Sequence, residues 1–122
     1  MFSAPSRAPD FLTAYSTSST SLVLTWGHVP KQYYHGQIIG YNIIFYPADL
    51  ESDFNFVSVN YTTKTTTLTD LAMYTMYVIN VSAVSSGGLG PAVMAMSRTD
   101  AEGKGVLKIV FILRLRRLPK TK

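Results

Sequence analysis

From residue 77 onward the chain alternates. Tyr77, Ile79, Val81 and Ala83 fall at every second position, with Val78, Asn80 and Ser82 between them. Period two is that of a β-strand with one buried face. The same rhythm appears in Leu22, Leu24 and Trp26 of SLVLTW. It returns in Tyr41, Ile43 and Phe45 of the stretch from Ile38 to Tyr46, which Pro47 stops. Val57 and Val59 alternate with polar residues in FNFVSVN. The threonine run TTKTTTLTD suits an exposed strand, because β-branched side chains fit a pleated surface. A first strand is expected around Phe11 to Tyr15, before the turn-rich STSSTS, and a last one in AVMAMSRT. Loops separate them: GHVPKQYYHGQ, broken by Pro30, the acidic ADLESD, and the turn SSGGLGP. Pro5 and Pro9 mark an extended lead-in, since each removes a donor and disfavours helix before it. Seven short strands in about 95 residues, with no helical period before residue 104, predict an all-β sandwich.

These residues resemble the fibronectin type III domain family. Leu22, Leu24 and Trp26 resemble its second strand, where a tryptophan fills the core, and GQIIGYNIIF resembles its third, with Ile38, Tyr41, Ile43 and Phe45 at apolar positions. LTDLAMYTMYVINVSAV is similar to the signature Leu-x-Pro-x-Thr-x-Tyr-x-Val-x-Val-x-Ala, carried by Leu71, Thr75, Tyr77, Ile79, Val81 and Ala83. Met73 stands where the family usually has proline. GGLGP resembles the glycine-rich turn before the final strand. The resemblance covers roughly residues 5 to 100 and implies a seven-stranded immunoglobulin-like sandwich. It implies that Tyr77 is a tyrosine corner, whose hydroxyl bonds back to upstream backbone, that Leu71 caps the same end of the core, and that Trp26 and Tyr41 are structural. It divides the chain into an extension at 1–4, a domain at 5–102 and a tail at 103–122.

Composition narrows the picture. Among 122 residues, 47% are hydrophobic, 15% are charged and none is cysteine. The chain is therefore globular, with no disulfide, thiolate nucleophile or cysteine zinc site. The net charge of +4 is unevenly placed. Residues 1–103 carry four cations and seven acids, a balance of −3, while residues 104–122 carry +7 and no acid. The basic character thus belongs to the tail. The body lacks the basic, aromatic-interleaved groove of a nucleic-acid binder, and no nucleic-acid partner is expected. The opening MFSAPSRAPDF has no apolar stretch of a signal peptide, so an extracellular domain would here be a piece of a longer chain or an incomplete product.

Catalytic chemistry is absent from the sequence. His28 and His35 share one loop without further ligands, no serine sits in a nucleophile elbow, and GGLGP leads into a strand rather than a helix. Asp49, Glu51 and Asp53 begin like a calcium loop, but Phe54 and Asn60 stand where such a loop needs Gly and Glu. No enzyme, metal or cofactor is expected. Asn60-Tyr61-Thr62 and Asn80-Val81-Ser82 are glycosylation sequons. Asn60 ends a strand, where an acceptor is accessible; Asn80, mid-strand on the outward face, is the poorer acceptor.

The resemblance implies a non-catalytic extracellular module of a cell-surface adhesion or receptor protein, set among neighbouring repeats and binding another protein or spacing those that do. HGQIIGY looks most like modules of adhesion receptors and receptor tyrosine phosphatases. The alternative is a structural spacer in matrix or in an intracellular muscle-type array. Cytokine-receptor membership is disfavoured, because Trp26 is the only tryptophan. Tyr33, Tyr34 and His35 are the first contact candidates, since adjacent loop tyrosines offer large area at low entropic cost. The competing reading has one tyrosine packing over the end of the sandwich. Gly87, Gly88 and Leu89, in the turn from Ser85 to Pro91, are the second candidates. The tail, apolar from Val106 to Leu113 and then basic, is expected to move independently and to make weak contact with an anionic membrane surface.

Overall fold

A computed structural model describes residues 3–101 of the chain. These form seven strands and one turn of 3-10 helix at Lys31–Tyr33. The strands are β1 (Thr13–Ser18), β2 (Ser21–Thr25), β3 (Ile38–Pro47), β4 (Asn55–Asn60), β5 (Thr65–Leu68), β6 (Met76–Ser85) and β7 (Gly88–Arg98). They lie in two antiparallel sheets, β1-β2-β5 and β4-β3-β6-β7. The result is the seven-stranded, two-sheet, all-β sandwich that the alternation and the resemblance lead one to expect.

Alternation decides which residues meet between the sheets. Leu22 and Leu24 from one sheet face Tyr41, Ile43, Ile79, Val81 and Ala83 from the other, and all are buried. Trp26, just past β2, is buried with them. Its ring meets that of Tyr41 edge-on, centroids 5.6 Å apart and planes at 62°, the arrangement aromatic quadrupoles favour. Leu68 and Leu71 close the core on the β5 side. Burying this many large apolar side chains, at roughly 1.5–3 kcal/mol each, is what orders a chain with no disulfide.

Three boundaries differ from the sequence pattern. The first strand starts at Thr13 rather than Phe11, because Asp10 and Phe11 turn before pairing begins. Gly27 N–H donates to the Asp10 carbonyl at 2.6 Å, and Phe11 takes a φ of 56° with its ring in solvent. The turn placed on STSSTS shortens to Ser19-Thr20, since β1 runs to Ser18 through an irregularity between Ser16 and Ser18. The last strand starts at Gly88, so Ser86 and Gly87 alone make the turn between Ser85 and its partner Gly88. Pro91 is tolerated inside β7 because β7 is an edge strand. It also lies where the register slips, between the pairs Val84–Leu89 and Ser82–Ala92.

Candidate functional site

Two of the loops singled out above meet at one end of the sandwich. Pro30 precedes the 3-10 turn, whose bonds from Tyr33 N–H to the Pro30 carbonyl (2.9 Å) and from Tyr34 N–H to the Lys31 carbonyl (3.1 Å) lift the loop over the core. His35 then takes a φ of 54°, uncommon for a side-chain-bearing residue, and Gly36 follows at 146°. The β6–β7 hairpin lies at the same end, because Ile38, at the start of β3, pairs with Ser85.

A third segment joins the two. Ser3 N–H donates to the His35 carbonyl at 3.0 Å, and Ser6 N–H to the Tyr33 carbonyl at 2.9 Å. The Ser6 hydroxyl and His35 Nε2 are 2.8 Å apart. On the other side the Ser85 hydroxyl donates to the Ser3 carbonyl at 2.9 Å and accepts from Gly87 N–H at 3.0 Å. Residues 3–6 are thus a strap pinned between loop and hairpin. The strap also accounts for the glycines of the hairpin. A Cβ on Gly87 would run into the backbone of Ser3, and one on Gly90 would lie 2.8 Å from the Pro5 carbonyl oxygen.

Around the strap the candidate side chains divide. Tyr33 and Tyr34 are half-buried and lean on the core, so each combines a packing face with an outer face. The Arg7 guanidinium sits over the Tyr33 ring at 5.3 Å, a cation–π placement, and reaches Asp10 at 3.7 Å. His35 is exposed, Gly87 lies against the strap, and Leu89 is 52% exposed beside it. Tyr34 lines a cleft of about 310 Å³ with His28, Gln37, Tyr41, Tyr61 and Lys64. Lys64 Nζ stands 5.1 Å from the centre of the Tyr41 ring. Burial, with a smaller contribution from neighbouring Tyr34, raises the Tyr41 phenol above the ordinary tyrosine value.

The charges are sorted by end. Arg7, Lys31 and Lys64 lie at the strapped end with one acid, Asp10, which pairs with Arg7, whereas Asp49, Glu51, Asp53 and Asp70 lie at the other end with one cation, Arg98. There a cleft of about 610 Å³ is walled by Asp53, Asp70, Phe45, Leu71 and Tyr77. Among the described residues no group of three or more His, Cys, Asp or Glu could hold a metal ion.

The two sequons differ in setting. Asn60 ends β4, and its side-chain oxygen accepts from Thr62 N–H (3.1 Å), the Thr62 hydroxyl (2.6 Å) and the Thr63 hydroxyl (2.9 Å). Asn80 sits mid-β6, opposite Ile44 on one side and Met94 on the other. The sequence reading missed the strap and Thr99. Thr99 is 1% exposed and its hydroxyl donates to the Ala72 carbonyl at 2.7 Å while accepting from Thr75 N–H at 2.9 Å.

Residues 7–96 match the family described as Fibronectin type III domain. The chain is 36% identical over 104 residues to Protein sidekick of Drosophila melanogaster, covering 81% of this chain and 5% of that protein. It is 27% identical over 105 residues to the Drosophila melanogaster Cell adhesion molecule Dscam1, covering 82% of this chain and again 5% of the relative. It therefore spans about one-twentieth of these relatives. Its fold superposes on the chicken CNTN1 FN1-FN3 domains with a TM-score of 0.71 at 30% identity, covering 80% of this chain and 33% of that one. Sandwich topology, signature residues and the extent of the match agree, and the chain belongs to the fibronectin type III family.

Proposed function

We propose that this chain is one protein-binding module of a longer cell-surface adhesion protein, and that it meets its partner through the strapped end of the sandwich. The module is extracellular and non-catalytic, a reading supported by its family and by its likeness to cell adhesion proteins. The observation that carries the choice of surface is the strap itself. Ser3 and Ser6 bond to the Tyr33–His35 loop, and Ser85 bonds to Ser3, so three separate chain segments make one platform. A platform ordered before contact has less conformational entropy to lose on binding. It presents Tyr33, His35 and Leu89 at an end that carries Arg7, Lys31 and Lys64 against the single acid Asp10, so the partner offers an acidic face with an apolar centre.

The reading is tested by presenting the full chain to a panel of extracellular ectodomains on a biosensor. Saturable binding to an ectodomain with an acidic surface is expected, weakening as salt is raised because rim charges are screened. A chain that binds none of them is a spacer, and the proposal fails.

A further inference from the structure

Two neighbouring cross-strand rows on the outer face of the four-stranded sheet are largely apolar, beside a polar row of Ser58, Asn42 and Ser82. On β6 the residues Tyr77, Ile79, Val81 and Ala83 point inward and are buried, which turns Val78, Asn80 and Ser82 outward. The register then defines cross-strand rows on that face. One row runs Phe56, Ile44, Asn80, Met94, and the next includes Tyr46, Val78 and Met96. Phe56 is 66% exposed, Met94 57% and Met96 50%. Asn80 is the one carboxamide in these two rows, and no hydrogen bond engages its side chain among the described residues. Asn80 also begins the sequon Asn80-Val81-Ser82.

We propose that Asn80 carries an N-linked glycan and that the outer face of this sheet is the bed on which it lies. The Asn80 amide nitrogen bonds to the anomeric carbon of an oligosaccharide carried on a lipid diphosphate. The bond from that carbon to the diphosphate oxygen breaks, the amide gives up one proton, and the lipid diphosphate leaves. In the folded sheet Ser82 is 6% exposed and β6 is paired on both sides. The transfer therefore takes place on the chain before β6 pairs. Once the sheet forms, the glycan emerges from the middle of the apolar rows. Met94 lies one strand away and Phe56 two, about 5 and 10 Å at ordinary strand spacing. The C–H faces of sugar rings can lie on both. A glycan there covers a face that would otherwise be an exposed apolar patch.

The inference rests on the extracellular reading but not on the strapped end, so binding by that end and occupancy of Asn80 succeed or fail separately. The test is secretion of the full chain, behind a leader, from human cells. Peptide-N-glycosidase treatment in heavy-oxygen water follows, then tryptic mass spectrometry. Trypsin separates the sequons, because Asn80 is the only asparagine in the peptide 65–98 and Asn60 falls in 32–64. Most of peptide 65–98 should carry the heavy-oxygen aspartate at position 80. Asn80→Gln and Ser82→Ala should both abolish that label and leave any label in peptide 32–64 unaffected. Removing the glycan should also raise binding of a hydrophobic dye severalfold, and Phe56→Ser should cancel the rise. An unlabelled 65–98 peptide from the secreted chain overturns the site. Dye binding that does not change on deglycosylation overturns the bed.

Discussion

The Tyr77 hydroxyl accepts the backbone N–H of Ala72 at 2.8 Å, tying the start of β6 to the crossover that brings the chain from β5. Thr99, from the end of β7, holds the same crossover at Ala72 and Thr75. Two buried hydroxyls, one from β6 and one from just past β7, thus fix residues 71–75, where Met73 replaces the proline usual in the family and Tyr74 adopts a φ of 46°. Removing either hydroxyl leaves backbone groups unpaired. Tyr77→Phe and Thr99→Val are each expected to cost about 1–3 kcal/mol in urea unfolding. Their double variant should be non-additive because they share a loop. Additive losses, or a Tyr77→Phe loss no greater than that of exposed Tyr74→Phe, would mean that the crossover is held by something else.

Trp26 fills the centre of the core against Tyr41, and its indole N–H finds no partner among the described residues. Trp26→Ala should cost about 3–5 kcal/mol, the range for a large buried aromatic. Trp26→Phe removes the unpaired donor and keeps a ring, so its loss should fall well short of that. Circular dichroism during urea unfolding measures both. A Trp26→Ala loss under about 1 kcal/mol would place the side chain outside the core.

Gly87 allows the strap to cross the hairpin. Gly87→Ala should displace Ser3 and lose its two hydrogen bonds, at about 0.5–1.5 kcal/mol net each. Hydrogen exchange at the Ser3 and Ser6 amides reads this directly. Both should exchange at least tenfold faster, while amides in β3 and β6 keep their protection. Unchanged exchange at Ser3 would show that the strap is not held by the hairpin.

The basic, apolar stretch from 104 to 122 lies outside the described residues. Deleting it is expected to leave stability unchanged within about 0.5 kcal/mol, as for changes outside a packed core. The full chain should bind anionic vesicles more strongly than the deletion, and salt should erase the difference. A deletion that unfolds the domain would mean that the tail contributes to the core.

The core was legible in sequence because its signal is local. Leu22, Leu24 and Trp26, or Tyr77, Ile79 and Val81, announce a buried face within five residues through period two alone. The strap was not legible, since Ser3 and Ser6 carry no periodicity and their partners lie some 30 and 80 residues away. The same distance hid the reason for the hairpin glycines, which a local reading extends into a longer turn. Thr99 was missed because a threonine at a strand end reads as surface; only the arrival of residues 72–75 buries it. The sequence leaves Tyr33 and Tyr34 open between contact and lid, and the fold packs both, half-buried, against the core.

Protein contact through the strapped end is tested most directly by altering exposed side chains there. Lys31 and Leu89 are exposed there and remote from the core, so Lys31→Glu with Leu89→Ser should leave the melting temperature of the full chain unchanged. Binding of this double variant to the partner found in the ectodomain panel is the decisive number, measured beside Phe56→Ser on the outer sheet. The account predicts at least a tenfold weaker Kd for the end variant, about 1.4 kcal/mol, and no change for Phe56→Ser. An end variant that binds like the unaltered chain, with binding lost instead in Phe56→Ser, would move the interface to the sheet face and contradict it.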